Sequence, residues 1–421
     1  MSNRQKTAIV VGGGIAGLAA AHDLAKHGWG ATLLEARQRL GGRILTVRSA
    51  NIPVELGAEF VHGKNKRLWQ LIRDARLSTH EVPNKQSELS ADGSLQVHDF
   101  WSEIGKVLGQ IDTEKPDQTF AKFVRSIDCP PHLKRLSMDF VEGFNAARAD
   151  RISVHALAQS EETSEQIDGT RQFRVQQGYG RLVDWLARNS RRSGAKIQLG
   201  AEVQTIRWKP GAVEVEFLQR GRTRKLSDSA AIITLPLGVL KTNSVRFEPK
   251  LRQKREAVES LEFGAVTKIT LHFSSRFWPR PNFGFVHAFD EWLPTWWSDP
   301  RGNVVTGWAG GPKGERLAAR SHQFIVARAV ETLSKIFDER AAKIRGLLID
   351  AQSHNWSNDP LSRGAYSYCP VGMKEVPKML AEPVEQTLFF AGEAATLDGQ
   401  LGTIHGALET GLRAAQQLRG T

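Results

Sequence analysis

The sequence is short of cysteine. Its 421 residues hold two, Cys129 and Cys369, so no disulfide framework is implied and a reducing, cytoplasmic setting is expected. No apolar run is long enough for a transmembrane helix, so no membrane partner is expected. The first apolar strand begins almost at the N-terminus, so no secretory leader is expected. Repeats and low-complexity tracts are missing. So is any long run of one charge. The net charge is +12 and the pI about 9.8, yet Lys and Arg are scattered, with short clusters only at Arg191–Arg192 and from Arg220 to Lys225. That scatter reads as solvated surface, and no specific nucleic-acid partner is expected. What remains is ordinary globular composition, 40% hydrophobic and 24% charged. The length allows two or three domains.

The stretch Ala8 to Arg37 organises the rest. Ala8 to Val11 reads as a buried parallel strand. Gly12, Gly14 and Gly17 follow as G-x-G-x-x-G, and Ile15 to His27 carries an Ala/Leu-rich helical pattern. Gly28 stops the helix, and Thr32 to Leu34 starts a second strand ending at Glu35. Gly12 permits the tight turn, Gly14 lets backbone approach a pyrophosphate, and Gly17 lets helix pack closely on strand. The helix N-terminus offers free N–H groups to that pyrophosphate. Glu35 stands where a carboxylate accepts from a ribose 2′-OH. Together these make a dinucleotide-binding βαβ unit.

Next comes ARQRLGGRI, with Gly41 and Gly42 at a close turn and Arg43 a fixed cation beside the dinucleotide site. Val54 to Gly63, VELGAEFVHG, looks like a strand and turn at the floor of the same site. With these motifs the chain resembles the flavin-containing amine oxidases, the family of monoamine oxidase, polyamine and spermine oxidases and the lysine-specific histone demethylase. The resemblance covers nearly the whole chain and is strongest at residues 8–63, 354–372 and 388–418. It implies FAD rather than NAD, bound by Gly12, Gly14, Gly17, Glu35, Arg37, Gly42, Arg43, Gly57, Ala58, Glu59, Phe60, Val203, Trp356, Gly392, Glu393, Thr403 and Ile404. Ala365 falls where monoamine oxidase carries the cysteine that attaches to flavin, so the FAD is expected to be non-covalent.

Lys64 to about Val175 is mostly helical in pattern, with helices at Arg67–Arg76, Phe100–Gln110, Gln118–Ile127 and His132–Arg148. Gln177 to Asn189 reads as a turn and amphipathic helix. Lys196–Leu199, Glu202–Trp208 and Val213–Leu218 read as strands, and Ala231 to Leu240 as a buried strand ended by Pro236. Phe263 to Phe273 has strand character. Helices are expected at Arg320–Phe337, Arg340–Leu348 and Thr403–Leu418, with an apolar strand at Leu388–Ala391. The fold expected is α/β: a discontinuous Rossmann-like FAD-binding domain (1–79, 176–245 and 380–421) and a substrate domain of mixed sheet plus helices (80–175 and 246–379).

Lys268 is the sharpest catalytic candidate. A lysine inside an apolar strand is costly unless paired or shifted in pKa. Alternation also permits an outward-facing lysine, since Val266, Lys268 and Thr270 share one face. The resemblance implies a lysine holding a water against flavin N5. Trp356 and Tyr366 offer aromatic faces to an amine, or serve as core. Tyr366 matches one cage tyrosine of monoamine oxidase, and Thr403 the other, as in spermine oxidase and the demethylase. Thr403 and Ile404 open the last helix toward the flavin N1–C2=O edge. His62 matches a histidine near the amine in polyamine and spermine oxidases, though a lone histidine is often structural. Glu59, Glu142, Glu161 and Glu162 are candidates for holding further ammonium groups.

The activity expected is oxidation of a (poly)amine C–N bond by hydride transfer to flavin N5, with dioxygen reduced to hydrogen peroxide. The partners expected are thus a small-molecule amine and dioxygen. Rivals on the same fold are an amino-acid oxidase and a desaturase. A rival of another class is a non-catalytic flavin-bound protein that binds an acidic partner. The sequence does not set the oligomeric state.

Overall fold

Ile9, Val10, Leu33 and Ile232 leave no polar face on their strands, and such strands persist only in a sheet covered on both sides. In the computed structural model, which describes residues 6–49, 51–279 and 282–420, they form a five-stranded parallel sheet. Its order is Lys196–Leu199, Gly30–Glu35, Thr7–Val11, Ala231–Ile233 and Leu388–Phe390. Distant parts of the chain therefore feed one sheet, the discontinuity expected. Helices Ile15–Lys26, Gly180–Arg192 and Ile404–Arg419 cover one face. The first and last of these pack so closely that a Cβ on Gly411 would fall 2.1 Å from the Ala16 carbonyl oxygen. The other face meets the apolar side of a second sheet, in which Glu202–Lys209, Ala212–Gln219 and Arg222–Asp228 run antiparallel.

A seven-stranded mixed sheet makes the other main layer. Its order is Leu348–Ser353, Val266–Phe273, Val304–Gly310, Thr295–Asp299, Phe285–His287, Gln86–Leu89 and Leu95–His98. All eight residues of Val266–Phe273 are buried. Ile269, Leu271 and Phe273 share an apolar core with Leu317, Ile325, Ala329 and Leu333 of the helices Gly311–Ala318 and His322–Phe337. Val266, Lys268 and Thr270 share the opposite face, as alternation requires, but that face meets protein, not water. The helices Phe100–Leu108, Phe120–Ser126, Pro131–Phe144 and Val154–Glu165 pack on one another around a further core. Among the described residues no helix is long and apolar enough to cross a membrane.

Several elements differ from expectation. Val54–Gly63 is two strands, Ile52–Glu55 and Phe60–His62, because the chain between them is pressed against the GGR turn. A Cβ on Gly57 would lie 1.9 Å from the Arg43 carbonyl oxygen. Ala231–Leu240 is a strand only to Ile233. Pro236 then serves as N-cap of a short helix, Leu237–Lys241, since its fixed φ suits a helix start. The mostly helical stretch 64–175 also holds strands at Thr79–Glu81, Gln86–Leu89, Leu95–His98 and Gln172–Val175. These are short; Gln86–Leu89 and Leu95–His98 make a hairpin, and the other partners lie far away in the sequence, Phe285–His287 beside Gln86–Leu89 and Gln172–Val175 beside Thr79–Glu81. Phe263–Phe273 is interrupted at Ala265.

Candidate functional site

The two main sheets leave a cavity of about 480 Å³ between them. Its lining gathers Gly12, Gly14, Glu35, Arg37, Gly42, Arg43, Gly57, Ala58, Glu59, Phe60, His62, Val203, Lys268, Trp356, Ala365, Tyr366, Gly392, Glu393, Thr403 and Ile404. Gly17 stands behind it. A Cβ there would lie 1.9 Å from the Gly12 carbonyl oxygen, so its work is close packing of helix on turn. Glu142, Glu161 and Glu162 do not line the cavity.

The glycine turn is shaped by its neighbours. Gly12 has φ +108, which favours glycine, and its carbonyl accepts from Thr234 Oγ1. A side chain at Gly14 would meet no protein atom within 4 Å, so this backbone is open to a ligand. Gly14 caps the helix Ile15–Lys26 with no side-chain hydrogen bond, which leaves first-turn N–H groups for an anion. Glu35 braces the turn from below: Oε2 accepts from Gly13 N at 2.6 Å and Oε1 from Arg37 N at 2.8 Å. Each oxygen keeps a lone pair for a ribose hydroxyl. At the second helix, Thr403 Oγ1 accepts from Gly406 N at 3.0 Å, so the N–H groups of Ile404 and His405 are not the ones it satisfies. Open glycine backbone, an uncapped helix start and a carboxylate together fit a dinucleotide cofactor.

Glu393 ties this region together. Its Oε1 accepts from Arg43 Nη1 at 2.9 Å, and its Oε2 from Ser367 N, Ser367 Oγ and Gly402 N at 3.1, 2.6 and 3.1 Å. Trp356 Nε1 donates to Leu56 O at 2.9 Å, and the His354 ring lies 4.1 Å from the Trp356 ring. Tyr366 OH donates to Phe144 O at 2.7 Å. Burial, with the Glu393 charge beside it, holds that phenol protonated well above its ordinary range.

Lys268 is 2% exposed and points at Glu59, with Nζ 2.6 Å from Glu59 Oε2 and 3.1 Å from Gly57 O. Glu59 Oε1 accepts from Arg174 Nε at 2.7 Å and Trp297 Nε1 at 2.9 Å. Burial alone would push the Glu59 carboxyl up. The Lys268 and Arg174 charges outweigh it and bring the carboxyl to about 2. As a holder of substrate ammonium Glu59 is therefore already committed to the protein's own cations. Arg174 and Trp297 escaped the sequence reading. The available signal was an arginine inside the strand QFRV.

His62 stands opposite Gln172 in the ladder joining Phe60–His62 to Gln172–Val175. Both side chains line the cavity, and His62 Nδ1 and Gln172 Oε1 are buried with no hydrogen-bond partner. Burial lowers His62 to about 4 and, with His62 nearby, His405 to about 3. Both imidazoles are neutral at neutral pH. They offer a ligand acceptors rather than charge.

The chain matches the family described as flavin containing amine oxidoreductase, over residues 15–166 and 112–419. Polyamine oxidase 3 of Oryza sativa subsp. japonica is 33% identical, over 98% of this chain and 89% of its own. Lysine-specific histone demethylase 1 homolog 2 of Arabidopsis thaliana is 29% identical, over 97% of this chain and 58% of its own. Among solved structures, putrescine oxidase bound to putrescine superposes with a TM-score of 0.83 at 19% identity, covering 99% of each chain. Cyclohexylamine oxidase from Brevibacterium oxydans does so with 0.82 at 20% identity, again over 99% of each. At such identities the likeness is one of fold.

Proposed function

This chain belongs to the flavin-containing amine oxidoreductases, an FAD-dependent family, and from that premise we propose that it oxidises a C–N bond of a polyamine with dioxygen as acceptor. The observation that carries the reading is the cavity wall where one buried lysine, Lys268, shares a lining with Trp356 and Tyr366. FAD, when bound, accepts hydride equivalents from the carbon next to nitrogen and passes the electrons to dioxygen, giving hydrogen peroxide.

The chain's own groups bind, orient and exclude water. The turn Gly12–Gly14 and the uncapped helix behind it take the pyrophosphate, and Glu35 takes the ribose. Val203 and Arg37 serve the adenine half. Arg43, Gly42, Gly57, Ala58, Phe60, Gly392, Glu393, Thr403 and Ile404 serve the flavin half. Ala365 has no nucleophilic atom, so the cofactor is held without a covalent bond. Trp356 and Tyr366 give the amine an apolar aromatic slot, and Thr403 leaves more room than a ring. The neutral His62 accepts an N–H from the amine, which reacts uncharged. Lys268 holds an N–H donor toward the reacting centre. The cofactor part comprises 1–79, 176–245 and 380–421, and the substrate part 80–175 and 246–379.

The amino-acid oxidase alternative needs an arginine free for a substrate carboxylate. The arginines lining the cavity are Arg37 and Arg43, and they pair with Asp359 and Glu393 at 2.8 and 2.9 Å. That pairing favours the amine reading. The test is a panel of mono-, di- and polyamines with amino acids as controls, reading flavin bleaching and peroxide together. Polyamines are expected to bleach the flavin under argon and release peroxide in air. A panel in which only amino acids bleach it, or nothing does, overturns the reading.

A further inference from the structure

An ammonium has three N–H donors and no acceptor. Two of those on Lys268 have partners in the protein, Glu59 Oε2 at 2.6 Å and Gly57 O at 3.1 Å. The third is left for the cavity that Lys268 lines. Its direction therefore depends on where Glu59 is held. Glu59 in turn is held at its other oxygen by Arg174 Nε and Trp297 Nε1. Arg174 is itself anchored, although its Nη2 is buried without a hydrogen-bond partner. It sits opposite Phe60 in the strand ladder, its guanidinium stacks 4.9 Å over the Phe60 ring, and its Nη1 donates to Ser298 O at 3.2 Å. The side chains of Arg174, Lys268 and Glu59 are 2%, 2% and 9% exposed.

We propose that Glu59 and Arg174 are positioning residues for Lys268: Arg174 fixes Glu59, and Glu59 fixes the ammonium so that a single N–H faces the reacting centre. Glu59 thus acts through Lys268 and is not a cofactor contact or a subsite for substrate ammonium. The arrangement holds two cations and one anion in a buried cluster. An isolated buried lysine is costly and sheds its proton or its place. A carboxylate shared with a stacked arginine gives the ammonium a fixed partner. The inference rests on the proposed placing of Lys268 at the flavin.

The charge and the aim of Lys268 are separated by Glu59→Gln. If Glu59 mattered only through its charge, removing it would leave two unopposed cations. The flavin midpoint potential would then rise and reoxidation by dioxygen would quicken. If it also sets the aim, the potential still rises but reoxidation slows by on the order of 10²-fold, the effect of misplacing a reacting group by about an ångström. The holoenzyme is reduced with dithionite, so neither readout needs an amine, and a failed amine panel leaves this test intact. Arg174→Leu is expected to slow reoxidation in the same way. Glu59→Gln placed on Lys268→Met is expected to change the rate less than twofold from Lys268→Met alone. A higher potential with equal or faster reoxidation in Glu59→Gln overturns the proposal, as does a further loss on top of Lys268→Met. If Glu59→Gln does not fold, Glu59→Gln/Arg174→Leu keeps the cluster's net charge, so slowed reoxidation there reads the aim alone, and a parent-like rate overturns the proposal. Where reoxidation by dioxygen is negligible in the parent, the same rate criteria are applied to anaerobic bleaching by the amine.

Discussion

Arg43 and Glu393 are 350 positions apart in the sequence, and their side chains meet at 2.9 Å. The GGR turn near the start of the chain is thereby pinned to the turn after the last strand. Glu393 also receives Ser367 and Gly402, so one carboxylate joins three segments around the cavity. Its side chain is 6% exposed. Removing one partner of a buried pair costs about 3–5 kcal/mol. Glu393→Ala is expected to lose that much stability and to retain FAD poorly, read by denaturant unfolding and by the flavin-to-protein ratio after gel filtration. Full stability would show that the three segments are held by other means.

Glu35→Ala is expected to weaken FAD binding by about 1.5–3 kcal/mol, the range for a hydrogen bond to a charged group. The loss of its bonds to Gly13 N and Arg37 N acts in the same direction, since both order the glycine turn. Fluorescence titration of the apoprotein with FAD measures it. An unchanged affinity in a folded variant would refute the ribose role.

Glu55 predicts a pH effect. Burial raises its carboxyl from 4.5 to about 7, against bonds from Thr46 and Tyr179 N. Between those values the folded protein keeps a proton that the unfolded chain has released. Its contribution to stability is therefore fully present below pH 4.5 and is lost as pH rises to about 7. Glu55→Gln is expected to overtake the parent as pH rises through this window, with a relative gain of about 3 kcal/mol by pH 8. Unfolding free energies of both proteins at pH 5 and 8 give the comparison. A difference that does not change with pH would mean that Glu55 titrates alike in both states.

Acid precipitation is expected to release all the FAD into the supernatant. Ala365 offers no bond, and the nearest thiol is a poor nucleophile. Cys369 is 2% exposed, and burial, with Asp117 and Glu375 nearby, pushes its thiol up to about 12. Yellow colour in the pellet would contradict this.

Lys268→Met keeps the stem and removes the donor. Loss of a well-placed electrostatic donor costs on the order of 10²–10³-fold. At least one of two steps, anaerobic bleaching by the amine or aerobic recovery, is expected to slow by that factor, with substrate affinity changing much less. Stopped-flow absorbance separates the two. Parent-like rates for both would make Lys268 an ordinary strand lysine.

The first βαβ unit was legible because its signals are local: apolar run, glycines, helix and acid lie within thirty residues of one another. The periodic helices were legible to within a few residues for the same reason. Lys268 shows where this ends. Alternation told which residues share its face but not what that face meets, because the meaning of a face is set by another layer of the fold. Arg174 and Glu59 are 115 positions apart, and neither announces the other. The strands at Gln86–Leu89 and Leu95–His98 form a local hairpin, but they are only four residues each, and what holds the hairpin in a sheet is Phe285–His287 beside Gln86–Leu89, a partner no local pattern reveals. His62 was singled out by resemblance. Its buried, unpartnered nitrogen beside Gln172 required coordinates.

The five-stranded sheet takes its outer strand, Leu388–Phe390, and its closing helix, Ile404–Arg419, from the last stretch of the chain. A chain emerging from the ribosome N-terminus first makes its glycine turn almost four hundred residues before the partner of that turn's helix. Until residues 388–419 are made, Ala16 has no Gly411 to pack against, and Ile233 has no Phe390 beside it. The nascent protein carries apolar strand and helix faces uncovered over that whole interval. Cofactor capture thus becomes a late event in the molecule's assembly, and a ribosome that stalls before Ile404–Arg419 leaves a product with an open core.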